Sequence, residues 1–212
     1  MKRIISSILL LALLISCLIS CGDRKYDEDE VRNEAKRLLT ESIVLNDIFW
    51  GKGIPYTDDI NTADGDFREA IYVFHKKLGF ENLNELMTMT AKTFSKDLCS
   101  VVNSTVLARV DDPELPLSRY YQKNNLDTGE PESIMVNKMW EPLIIGEVTY
   151  DLNSIEVVES EKEVVFITVN ATVIYEDNEP QIRNLKIGLI EEDDGWKINS
   201  PTYISYDITK IK

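Results

Sequence analysis

The sequence predicts an α+β domain, with N-terminal helices packed on one face of a curved antiparallel sheet. Three observations predict it. From Val31 to Phe49 the apolar residues recur at three- and four-residue steps, the period of one helical face. From Val164 to Tyr175 β-branched residues dominate, with Val165, Ile167, Val169, Ala171 and Val173 on one side, which is the period of a strand. Asp194-Gly195 then stands just before Trp196-Lys197-Ile198-Asn199, and such a pair is a signal for a two-residue hairpin turn.

The elements follow in chain order. Val31, Ala35, Leu38, Leu39, Leu45, Ile48 and Phe49 share the first helical face, and Asp27 and Asp29 sit at its start, where acids complement the helix dipole. Gly51-Lys52-Gly53-Ile54-Pro55 stops it. After a polar loop over 56–66, Ala70-Ile71-Tyr72-Val73-Phe74 reads as a short strand, with a helix as the alternative. Asn82-Leu83-Asn84-Glu85 resembles a capping box, and Ser95 reads as a second N-cap for a helix through Leu98, Val101, Val102, Val106 and Leu107. Asp111-Asp112-Pro113 is the expected end of that helix. Tyr120-Tyr121 suggests a strand, Asp127-Thr128-Gly129 a turn, and Met135 to Ile145 a further extended segment. Thr149 to Val158 alternates with Leu152 and Ile155 out of phase, which predicts a bulge. Gln181 to Glu191 alternates cleanly, and Ser200-Pro201 stops the last strand.

Composition bounds the function. The 212 residues carry 43% hydrophobic side chains, enough for one cored domain. A net charge of -14 excludes a nucleic-acid surface, which needs clustered Lys and Arg, and excludes docking on anionic lipid. One His and three Cys exclude a Cys/His zinc site of ordinary spacing. There is no Gly-rich phosphate loop, nucleophile elbow or His-Glu-x-x-His. No cofactor and no metal are expected.

The N-terminus is the most specific stretch. Met1-Lys2-Arg3 is a short basic region, and Ile4 to Ile19 runs without a charge, as in a secretory signal. It ends in Leu18-Ile19-Ser20-Cys21-Gly22, which resembles the lipobox of bacterial lipoproteins. The resemblance implies that Cys21 is acylated and that the chain is cut before it. Residues 1–20 then form the signal, 21–30 a membrane tether and 31–212 the domain. The placement implied is the cell membrane, lipid-anchored on its extracytoplasmic face. Leu14-Ile15-Ser16-Cys17 repeats the pattern and leaves Cys17 open as the alternative, but cutting at Cys21 coincides with the end of hydrophobicity. With Cys21 lipidated, Cys99 is the remaining thiol of the mature chain; with Cys17 lipidated, a Cys21–Cys99 bridge becomes possible.

Candidate chemistry is sparse. Cys99 falls in a helical stretch and reads as a small buried residue, and His75 beside Lys76 and Lys77 as a polar strand residue, though it could serve as a base. Asp58, Asp59, Asn61, Asp64 and Asp66 suggest calcium, but no Glu closes the loop at the EF-hand position, so a solvated loop is expected. Glu191-Glu192-Asp193-Asp194 reads as a soluble hairpin tip. Tyr120, Tyr121, Met135, Met139 and Trp140 form an aromatic and Met-rich region that suits either a core or a partner surface; the partner-surface candidates are Tyr120, Tyr121, Met139 and Trp140.

The order of elements, the step Phe94-Ser95-Lys96-Asp97-Leu98 and the ending Gly195-Trp196-Lys197-Ile198-Asn199-Ser200-Pro201 resemble two groups over roughly residues 31 to 203. One is the nuclear-transport-factor-2-like, or cystatin-like, fold. The other is the family of extracytoplasmic D,L-endopeptidase inhibitors of Gram-positive bacteria. The resemblance implies a non-enzymatic, lipid-anchored envelope protein that binds a partner with a basic surface and restrains a cell-wall hydrolase. The alternative is a small-molecule carrier or sensor using a pocket between helices and sheet. A cavity lined by Tyr and one or two acids favours the carrier, and an exposed aromatic patch favours the protein binder. A hydrolase or isomerase, which such folds also host, would have to work with Asp, Glu and Tyr around one His.

The anchor is directly testable. Radiolabelled palmitate incorporated by the wild-type chain is expected to vanish in Cys21→Ala; label that persists there and disappears only in Cys17→Ala would move the anchor.

Overall fold

The computed structural model describes residues 26–107, 118–142, 147–174 and 179–202. The signal, Cys17, Cys21, most of the tether and Asp111-Asp112-Pro113 lie outside them. Four helices precede most of the strands, and the strands form two antiparallel sheets. The fold is α+β, with two sheets where the sequence suggested one.

Helix α1 spans Glu28–Phe49. Asp27 caps it by accepting from the backbone N–H groups of Asp29 and Glu30 at 2.9 and 3.3 Å. The whole predicted stripe, Val31 to Phe49, is buried to 2% exposure or less. On the outer face Arg37 pairs with Glu34 and Glu41 at helical spacing. The helix stops as expected: Gly51 N–H bonds back to Asn46 O at 3.0 Å, and Gly53 takes φ +80.

Strand β1 covers Phe67–Glu69 and helix α2 Tyr72–Lys77. The strand expected at Ala70–Phe74 is thus displaced towards the N-terminus, and the helical alternative holds from Tyr72. Ala70 N–H still joins Ile134 O and Ile71 N–H joins Pro55 O, both at 2.8 Å. From Tyr72 the chain leaves the edge of β3, and its backbone groups bond within the helix. The apolar run misled because it is largely exposed, with Val73 at 75%.

Helices α3, Leu83–Thr93, and α4, Lys96–Thr105, follow. Asn82 Oδ1 accepts from Glu85 N–H at 3.0 Å, while Glu85 Oε2 accepts from Glu81 N–H at 2.7 Å. Ser95 Oγ accepts from Leu98 N–H at 3.3 Å, the predicted cap. Helix α4 ends at Thr105, before the expected stop; Val106 caps it and Leu107 bridges to Tyr120, and both side chains enter the core.

The smaller sheet has the order β1-β3-β2, with β2 at Tyr120–Asn124 and β3 at Pro131–Asn137. Asn125 closes its hairpin by accepting from Asp127 and Thr128 N–H groups. Strand β3 starts and ends earlier than the extended segment expected at Met135–Ile145, because Asn137 Oδ1 accepts from Met139 N–H and turns the chain.

The larger sheet is the predicted meander: β4 Glu147–Glu161, β5 Val164–Ile174, β6 Gln181–Glu192 and β7 Gly195–Ile198, paired in that order. The bulge lies between Asp151 and Glu156, where Ser154 Oγ accepts the Asn170 N–H at 2.8 Å in place of a ladder carbonyl. Glu192 pairs with Gly195, so Asp193-Asp194 form the turn, one residue before the predicted pair. Gly195 supplies φ +117 as the strand resumes. Helix α1 crosses this sheet from β4 to β7, over the predicted face of β5, Val165 to Val173, which is at most 2% exposed.

Ile167 is fully buried at the centre of that face. Ile167→Ala is expected to lower unfolding free energy by ~2–5 kcal/mol, while Asp193→Ala on the exposed turn changes it by under about 0.5 kcal/mol. Urea unfolding of both variants measures the contrast.

Candidate functional site

The C-terminal half of α1 carries two polar residues on its buried face, Ser42 and Asn46. One helical turn apart, they interrupt the apolar stripe where α1 meets the start of β4. Asn46 lines a pocket of about 350 Å³ there. Ile43, Val44, Ile48, Phe74, Leu78 and Val148 form its apolar wall.

The polar base is tied together by hydrogen bonds. Asn46 Nδ2 donates to Thr202 Oγ1 at 2.7 Å, and the Tyr150 hydroxyl donates to Thr202 O. Burial raises the Tyr150 hydroxyl above its usual range, opposed by its hydrogen bonds with Thr202 and Ser42, so Tyr150 stays a neutral donor. At the mouth Lys52 Nζ lies 3.7 Å from Glu147, and Lys52 N–H donates to Asp47 Oδ1 at 3.0 Å. Tyrosine, two carboxylates and an apolar wall therefore meet at one concavity. Sequence reasoning missed Asn46 and Thr202. The available signal was two polar positions, Ser42 and Asn46, in phase with the apolar stripe of α1.

The partner-surface residues from the sequence do not form one face. Alternation along β2 sends Tyr120 and Tyr121 to opposite sides. Tyr120 is fully buried, as is Met135. Its hydroxyl donates to Ile48 O at 2.7 Å and accepts from Ile54 N–H at 3.0 Å, and burial pushes its pKa up to about 12. Tyr121 is half-buried, edge-on to Phe67, and donates to Asp64 Oδ2 at 2.5 Å. Met139 is 66% exposed, and Trp140 folds back over Arg119.

The remaining candidates act structurally. His75 is buried on α2 rather than set on a strand, with Nδ1 3.0 Å from Phe80 O and its ring stacked on Phe80. Cys99 Sγ donates to Phe94 O at 3.4 Å, and burial pushes the thiol up to about 11, away from nucleophile chemistry at neutral pH. In the acidic loop Asp59 caps the short helix Ile60–Thr62, and Asp64 faces Tyr121. Among the described residues no group of three or more His, Cys, Asp or Glu is arranged to hold a metal ion. The hairpin tip is less free than expected: Glu192 accepts the Lys96 N–H at 2.9 Å at the start of α4, and Asp194 pairs with the buried Lys197 ammonium at 2.9 Å.

No protein-family model matches this chain, and no curated protein and no solved structure matches it significantly. Among the described residues no helix is long and apolar enough to cross a membrane.

Tyr120→Phe keeps the ring but strips two buried backbone groups of their partner, a loss of ~1–3 kcal/mol. The folded-state pKa of Tyr120 is raised, so its contribution is complete below the unfolded value of ~10 and is lost as pH rises through about 12. Urea unfolding against pH is expected to show a steeper alkaline decline for the wild type than for Tyr120→Phe; parallel declines would contradict the assignment.

Proposed function

We propose that this chain is a lipid-anchored, extracytoplasmic binding protein that holds a small, mainly apolar molecule in the pocket between α1, α2 and the start of β4. The observation that carries the reading is the pocket itself. Its volume of about 350 Å³ falls within the range of small-ligand sites, ~300–1,000 Å³. Its wall rewards apolar surface, and its base presents a Tyr150–Thr202–Asn46 cluster that can orient a polar end. Neither His75 nor Cys99 lines it, which supports binding without turnover. The Cys21 anchor would hold the domain near the membrane, within ~20 Å if the six residues 22–27 before α1 are fully extended.

A second reading, restraint of a cell-wall hydrolase or another envelope protein with a basic surface, has its own support. Ile71, Tyr72, Val73 and Phe74 are 44, 48, 75 and 40% exposed in succession, and consecutive exposed apolar residues suit a partner surface. The net charge of -14 would steer a basic partner towards it.

The neutral fluorophore N-phenylnaphthylamine tests the pocket. Saturable binding to the mature chain is expected, weakened at least ~10-fold by Val148→Trp, which fills the cavity. No binding by the wild type, together with salt-sensitive inhibition of a D,L-endopeptidase that Val73→Glu abolishes, would favour the second reading instead.

A further inference from the structure

Arg119 stands just before β2 and is only 3% exposed. Its Nη2 donates to Gly51 O at 2.7 Å, but Nε and Nη1 are buried without an acceptor among the described residues. The carboxylate that acts on it, Asp47, does so only through space, and burial pulls the guanidinium pKa down. By contrast Arg32 and Arg37 on the outside of α1 each have carboxylate partners. A buried cation left unpaired costs several kcal/mol, and this one persists in a chain with 37 acidic residues.

A third unpaired donor lies beside it. The Trp140 ring centroid is 6.0 Å from the guanidinium carbon, and the indole Nε1 is buried with no acceptor among the described residues. This closeness is built by the backbone. Asn137 N–H donates to Arg119 O at 2.8 Å, Asn137 Oδ1 accepts from Met139 N–H at 2.9 Å, and Trp140 N–H returns to Asn137 O at 3.2 Å. On the other side a Cβ at Gly53 would lie 2.0 Å from Arg119 Nη2, so only glycine admits the side chain there. Two loops and a strand thus converge on donors that lack an acceptor among the described residues.

We propose that Arg119 Nε and Nη1, together with Trp140 Nε1, bind a small carboxylate monoanion. One negative charge balances the one cation, whereas a phosphate dianion would leave a second charge desolvated beside the Tyr120 and Trp140 rings. Planar carboxylate oxygens accept well from guanidinium and indole N–H groups. Arg119 does not line the α1–α2 pocket, so this site is a separate one.

The test is thermal unfolding of the full chain, purified in a non-ionic detergent, during titration with sodium acetate at ionic strength held constant with sodium chloride. Acetate is expected to raise the melting temperature saturably, as a ligand of the folded state does, and phosphate to do so less. Trp140→Phe keeps the ring and removes one donor, and is expected to weaken the acetate response about tenfold. Arg119→Gln is expected to abolish it. No acetate response in the wild type, an equal response in both variants, or tighter phosphate binding would each overturn the proposal. So would a response that emerges only in Asp111→Asn, Asp112→Asn and Glu114→Gln combined, since the chain's own carboxylate would then be the acceptor.

Discussion

The Tyr120 hydroxyl is the joint on which the arrangement depends. It donates to Ile48 O near the end of α1 and accepts from Ile54 N–H across the turn that follows. Arg119 adds a bond to Gly51 O in the same turn. The smaller sheet therefore grips the end of a helix whose body spans the larger sheet. Lys52 and Gly53, inside the gripped turn, form part of the pocket. Both buried groups carry a desolvation cost, and both are placed by backbone hydrogen bonds that water cannot replace once the core has closed.

The end of the meander performs a matching task on the other helices. Ser95 Oγ donates to Asn199 Oδ1 at 2.7 Å while capping α4, and Ser95 N–H donates to Ile198 O at 2.8 Å. Lys197, 2% exposed, reaches Lys92 O at the end of α3, where a cation complements the helix dipole. Trp196 Nε1 reaches Glu30 at 3.3 Å in the first turn of α1. A four-residue strand thus touches three helix termini, so the Gly-Trp-Lys-Ile pattern, which drew the family resemblance, has a structural explanation in this chain.

The two proposed sites differ in how their polar groups are treated. At the pocket the Asn46 amide N–H and the Tyr150 hydroxyl both have partners, and the apolar wall is half-open to the mouth, with Ile43, Val44 and Phe74 near 40% exposed. Such a site gains from covering apolar area and needs little reorganisation. At Arg119 and Trp140 the donors are closed off and unmatched among the described residues, so the proposed driving force is charge pairing. A lipid-anchored binding protein with both would present one apolar and one ionic recognition element.

What the sequence by itself determined is local. The stripe of α1, the caps Ser95 and Asn82, the bulged β4 and the buried face of β5 follow from side-chain period and from hydrogen bonds spanning two to five residues. It also determined the charge balance and the lipobox-like ending at Cys21, which the described residues do not reach. It could not decide between strand and helix at 70–74, because that choice turned on where the chain leaves β3, a partner far away in sequence. It left Tyr120 open between core and surface, because the two carbonyl and amide groups that draw it inward lie about seventy residues away in sequence. The pocket base joins Asn46 to Thr202 across 156 residues. Period and capping are properties of neighbouring peptides, whereas the pairing of buried polar groups is settled only when distant segments exclude water together.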